Sequence, residues 1–269
     1  MVELAITLNP VTLNRLKAGL RQTAPDIKSS HRAEALARGL GFNSNADLRT
    51  SLGAGARRRV DPTAFITYFA ERGLDGSAST LLRAVAHAIT LDVMDRDDRL
   101  HKWGWGCGRP ERKSDGAWEN PYEHYDRFLR YREELKDILV ADQVLRALAL
   151  LASVPATKTI RPDTDSYRLK HIAENFPCDY PDGETLGPDY VANGPLIVAA
   201  VHLGFRYRTG RDSQGYEWPN VTFNMSQAHL LELDIKHRPN GARAGARRRK
   251  LEAKQYASRW KLSGASAWG

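Results

Sequence analysis

The chain has 269 residues, with 40 Lys and Arg against 32 Asp and Glu and only two cysteines. That length fits one or two domains. No apolar run approaches the roughly 20 residues of a membrane-spanning helix, and the well-separated Cys107 and Cys178 exclude a disulfide framework. The basic excess sits in residues 236–261. This segment holds ten Lys or Arg and one acid, Glu252, a net +9. The whole chain is +8 and residues 262–269 are uncharged, so residues 1–235 sum to −1. A near-neutral body with a cationic arm points to an anionic partner. The N-terminus, MVELAITLNP, lacks the basic region and cleavage site of a signal peptide. The expected location is the reducing cytoplasm.

In chain order, Asn9-Pro10 starts a helix with Asn as N-cap and Pro at the first helical position, followed by Leu13, Leu16 and Leu20. Ser30 is the expected cap of a helix over 31–40. Gly41 stops it in a left-handed turn, and Phe42 packs back. Ser44 then caps a short helix through Leu48 and Leu52. This unit invites a helix-turn-helix reading, but Asp47 and Thr50 occupy positions where a recognition helix needs apolar residues. An ordinary helical hairpin, 10–53, is the better reading.

The stretch IKSSHRAEALARGLGFNSNADLRTSL resembles a small helical module of uncharacterised proteins from bacterial plasmids and integrative elements, and of proteins labelled glyoxalase-related. The resemblance, centred on Ser30–Leu52, implies an origin in a mobile element and no activity. A glyoxalase needs His and Glu metal ligands on paired βαβββ units, and no such strand pattern occurs.

Gly53 to Arg59 reads as a flexible basic loop carrying Arg57, Arg58 and Arg59. Asp61-Pro62 and Ser77 cap two more helices. The second has an apolar stripe of Leu81, Leu82, Val85, Ile89 and Val93. Residues 96–120 are unpatterned and hold Trp103, Trp105 and Trp118 among glycines and charges. Long irregular loops are often functional. Asn120-Pro121 opens a helical pattern to Leu151, either one helix or two broken near Val140–Asp142. Ser153–Pro162 reads as a joint. Ser166 caps a further helix, and Gly194-Pro195 opens an apolar one stopped at Gly204-Phe205 by the same device as Gly41-Phe42. Tyr216–Asn224 reads as a strand or hairpin, Gln227–Ile235 as a helix, and the segment from Arg247 to Trp260 as a basic amphipathic helix. The form SYRLKHIAE…YVANGPLIVAAVHLGF…NVTFNMS also resembles unnamed mobile-element proteins, again without an activity. The expected fold is mainly α: a helical domain 1–154, a small helical domain 155–235 with a short hairpin, and a basic arm 236–269.

The arm supplies the candidate nucleic-acid contacts Arg243, Arg247, Arg248, Arg249, Lys250, Lys254, Arg259 and Lys261, with Tyr256 and Trp260 as stacking rings and Arg57–Arg59 as a second patch. Trp103, Trp105 and Arg109 are the candidate protein-interaction residues, since Trp and Arg dominate interface hot spots and glycines flank them. Weaker constellations have plainer readings. His101 with Cys107 supplies only two ligand types for a metal or a nucleophile. His202 reads as a satisfied core histidine, His171 with Glu174 as a surface pair, and Asp92, Asp95 and Asp98 as a helix end neutralised by Arg96 and Arg99. No phosphate-cradling glycine motif occurs, and no metal or cofactor is expected. The leading expectation is a non-enzymatic nucleic-acid-binding protein that does not enter membranes. Two alternatives stay open. One is a protein inhibitor of a host-defence ribonucleoprotein (for example of CRISPR type) or regulatory complex, recognising an acidic surface. The other is an enzyme, such as a nuclease, with an unrecognised site.

Overall fold

Helix starts follow side-chain oxygens placed to accept the first free backbone N–H groups. In the computed structural model, which describes residues 4–52 and 55–264 with side chains as far as Lys254, Asn9 accepts from Thr12 N and opens α1, Pro10–Thr23. Ser44 caps α3, Asn45–Thr50; Asp61 caps α4, Pro62–Ala70; Ser77 caps α5, Ala78–Arg96. Asn120 and Glu123 form a reciprocal capping box at α6, Pro121–Leu135. Two expected caps move. Helix α2, Ser29–Gly39, begins two residues early, with Lys28 in place of Ser30 at the N-cap and no side-chain cap. Helix α8, Ser166–Ala173, is capped by Asp165, while the Ser166 hydroxyl accepts from Val221 N at 3.1 Å.

The helix stops at Gly41 and Gly204 are alike. Phe42 N donates to Ala37 O at 2.9 Å, and Phe205 N donates to Ala200 O at 3.0 Å. Each turn needs the positive φ that glycine adopts without strain, +79° at Gly41 and +85° at Gly204.

The chain is 53% helical, with eleven helices and only short two-stranded ribbons among the described residues. Helix α5 is the axis of the core. It packs against α1, α4, α7 (Ala141–Leu151) and α9 (Asn193–His202). Residues 84–90 are all buried, so its burial runs around the helix and not along one stripe. One apolar cluster extends from Leu4 to Leu230, and α9 contacts both α5 and α7 across the Ser153–Pro162 stretch. The long pattern after Asn120 breaks at Lys136, earlier than expected. The released Lys136 carbonyl accepts from His87 Nε2 at 2.9 Å, and a 3-10 turn, Ile138–Val140, leads into α7.

The ribbons fix the loops. β1, Ala5–Thr7, pairs antiparallel with β2, Arg57–Arg59. β3, Leu100–His101, pairs with β4, Gly104–Trp105. β5, Cys178–Asp179, pairs with β6, Thr185–Gly187, and β7, Tyr207–Arg208, with β8, Thr222–Phe223. The expected hairpin in 216–224 therefore takes its partner from the basic stretch 206–211. Helix α10 covers Gln227–His237 and α11 covers Ala242–Gly264. No helix among the described residues is long and apolar enough to cross a membrane.

Candidate nucleic-acid interface and aromatic cleft

The basic arm begins inside α10 and continues as α11. Its anchor is Asp234, whose side chain is buried and faces Arg168 at 3.3 Å, Arg238 at 3.3 Å and Arg243 at 4.0 Å. Burial, followed by the neighbouring Arg243, lowers the Arg168 pKa, and Asp234 opposes the shift. Arg243 thus leans toward the body while its side chain stays 41% exposed. Arg247, Arg248, Arg249, Lys250 and Lys254 are exposed. At 3.6 residues per turn, four consecutive cations at 247–250 point to all sides of the helix. None of the five has a carboxylate partner among the described residues; Arg248 donates to Pro239 O at 3.2 Å. The side chains of Tyr256, Arg259, Trp260 and Lys261 lie outside the described residues. A groove of about 560 Å³ runs between α10 and α11, floored by the half-exposed Leu231 and Leu251 and edged by Arg247, Lys250 and Lys254.

Arg57, Arg58 and Arg59 form a paired strand instead of a flexible loop. Their side chains are exposed, and Arg58 lies 4.9 Å above the Phe42 ring. They belong to the N-terminal ribbon, whereas α11 docks on α10.

The Trp-rich loop is built differently from its expected outward form. β3 and β4 are joined by the tight turn Lys102-Trp103, so Trp103 stands at the tip with 42% of its surface exposed. Trp105 faces Leu100 across the ladder and packs on the core, and its indole N–H donates to Asp97 at 3.0 Å. Tyr207 O–H donates to the same carboxylate; burial and then Asp97 push its pKa up, so it stays a phenol. Trp105 is therefore corrected from surface anchor to structural residue. The glycines permit close approach and not mobility. A Cβ on Gly104 would fall 2.2 Å from Pro219 O, and one on Gly194 would fall 2.1 Å from His101 O.

This welding creates a cleft of about 690 Å³ between the 101–111 loop, α6 and the 212–219 segment. Arg109 lies at its edge, 58% exposed and paired with Asp212 at 2.6 Å. Arg127 bonds Glu119 at 2.8 Å and Glu111 at 3.0 Å, and donates to Arg109 O. Glu217 accepts from Arg99 and from Cys107 N. Burial raises its pKa, but Arg99, the Cys107 N–H and Arg211 outweigh that and hold it below the ordinary carboxylate range. The cleft also contains residues that sequence reasoning missed: Tyr131, Arg127 and Trp218. Trp218 is 53% exposed, and its backbone N–H donates to Gly210 O at 2.9 Å. Its only sequence signal is a lone indole after the turn Asp212-Ser-Gln-Gly215, which closes the Arg211–Glu217 bridge.

The remaining candidates resolve as structural groups. His101 Nε2–H donates to Gly106 O at 2.8 Å, and its Nδ1 accepts from Trp103 N at 3.2 Å, so both nitrogens serve its own loop. Burial takes its pKa down to about 4, with Arg127, Arg132 and Arg99 adding to the effect. Cys107 and Cys178 are free thiols. His171 pairs with Glu174 at 2.6 Å. Asp92 pairs with Arg96, and Asp95 with Arg15, while Arg99 turns to Glu217. Burial lowers the pKa of His202, a partly buried residue. Among the described residues no group of three or more His, Cys, Asp or Glu is placed to hold a metal ion. The chain matches no protein-family model, no curated protein and no solved structure.

Proposed function

We propose that this is a non-enzymatic nucleic-acid-binding protein whose helix α11 contacts the phosphate backbone without regard to sequence. One contrast carries the reading. In the body, Arg83, Arg99, Arg109, Arg127, Arg146 and Arg168 each pair with a carboxylate, although an exposed cation such as Arg130 has none, whereas on α11 four exposed cations in succession, Arg247–Lys250, have no carboxylate partner among the described residues. Cations without internal partners are free to displace counterions from phosphates. A reducing cytoplasm suits the two free thiols. The test is fluorescence anisotropy of a labelled oligonucleotide against salt. Arg247, Arg248, Arg249 and Lys250 are changed together to Gln. The slope of log affinity on log salt is expected to fall by about 0.7–0.9 for each phosphate that these side chains had neutralised. A wild-type protein with no salt slope overturns the reading.

A second reading is favoured by the α10–α11 groove. Leu231 and Leu251, flanked by Arg243, Arg247, Lys250 and Lys254 against one acid, Glu232, suit an acidic amphipathic helix of a partner protein. The resemblance to mobile-element proteins supports a setting in which that partner belongs to a host-defence ribonucleoprotein. Leu251→Ser then weakens partner capture and leaves the oligonucleotide salt slope unchanged.

A further inference from the structure

The phosphate reading leaves the aromatic cleft unused. Its volume, about 690 Å³, lies within the range that encloses a small organic group. Trp103, Tyr131 and Trp218 contribute rings to its wall. The rings are held in place before any ligand arrives: Trp103 meets Tyr131 edge-on at 6.1 Å, and Trp218 rests against Gly210.

Charge decides what fits. The wall guanidiniums are matched, Arg109 by Asp212 and Arg127 by Glu119 and Glu111. The wall therefore offers no spare cation for an anion and no spare carboxylate for an amine. A flat, uncharged π surface with a polar edge suits it. Beside the cleft, the exposed Arg130 lies 5.7 Å from the Tyr131 ring centroid and has no carboxylate partner among the described residues.

We propose that this cleft receives a nucleobase unstacked from a single-stranded nucleic acid, packed against Trp103 and Trp218, with the adjoining phosphate met by Arg130. Every base has a π face, so stacking of this kind tolerates sequence. A paired base in a duplex cannot enter without being extruded. The inference rests on the nucleic-acid reading above and adds the strand type to it.

The test uses the full-length protein with three probes: a 12-nucleotide single-stranded DNA, its duplex, and AMP, followed by anisotropy and tryptophan quenching. Trp218→Ala and Trp103→Ala are expected to weaken single-strand binding about tenfold each, with duplex binding and salt slope unchanged. Trp218→Phe keeps a stacking face and is expected to recover most of the loss. Thermal melting checks that each variant is folded. Arg130→Gln weakens AMP binding relative to adenosine. AMP also probes the cleft in the α11 quadruple variant, where quenching should persist. If AMP quenches but no oligonucleotide shows a salt slope, the phosphate reading fails and the cleft stands. If folded Trp218→Ala and Trp103→Ala bind the single strand and AMP as the wild type does, the cleft proposal is wrong, and the exposed indoles are left for protein contact.

Discussion

Trp105 and Trp118 belong to one irregular loop, yet they meet different surroundings. The Trp105 indole is packed on the core with its N–H bonded to Asp97, while Trp118 is 66% exposed. Trp105→Ala is expected to cost about 3 kcal/mol by leaving a cavity and removing one of the donors to the Asp97 carboxylate. Trp118→Ala should stay within about 0.5 kcal/mol. Denaturant titrations of the two variants measure the difference. His101 supplies a pH signature. Above pH 6.5 it is neutral whether folded or unfolded. Below that the unfolded chain takes up the proton first, because burial holds the folded pKa near about 4. Stability is therefore expected to decline as pH falls from 6.5 to 4, by about 3 kcal/mol from this group alone. His87, also lowered by burial, adds in the same direction. His101→Gln should flatten part of that decline in melts recorded across the range.

At the scale of elements, starts and stops were legible wherever the deciding atoms are local. Asn9, Ser44, Asp61, Ser77 and Asn120 cap the helices that follow them, and Gly41 and Gly204 end theirs. The Ser30 cap that gives way to Lys28 has no such explanation, but three other misses share a cause, in that a distant segment settles the matter. Arg57–Arg59 becomes a strand because Ala5–Thr7 pairs with it, some fifty residues away. Trp105 turns inward because Asp97, Tyr207 and Pro219 hold its ribbon. Ser166 yields its cap to Asp165 because Val221 claims the hydroxyl. The α11 cations were visible as a charge run, whereas the cleft was half visible, through Trp103 and Arg109 but not Trp218. The tie between α11 and the body depends on Asp234. Asp234→Ala leaves Arg168 buried and uncompensated, which is expected to cost about 3–5 kcal/mol. It should also speed hydrogen exchange in residues 242–252, where Arg243 is left without its carboxylate.

For the whole molecule, the cationic excess is separable from the fold, but not at its first basic residue. His237 packs edge-on against Phe176 at 4.9 Å, and Arg238 pairs with Asp234. A chain ending at Gly241 keeps both and is expected to unfold cooperatively, with a higher melting temperature than one ending at Ile235. Calorimetry on the two truncations checks the order. The cleft obeys a longer-range rule. Arg99 reaches Glu217 across 118 positions of sequence, and Tyr207 reaches Asp97 across 110. Closing loops of that length costs entropy that no local contact repays. On the ribosome, the glycine-rich ribbon emerges long before its far wall does. Until residue 207 has been made, Trp105 has no Tyr207 beside its carboxylate, and until residue 219 has been made the ribbon has no Pro219 carbonyl to lean on. The opening half of this protein therefore contains one wall of the cleft, with Trp103 and Tyr131, but not the 212–219 wall opposite, so the cleft can take shape only once residue 219 has been made.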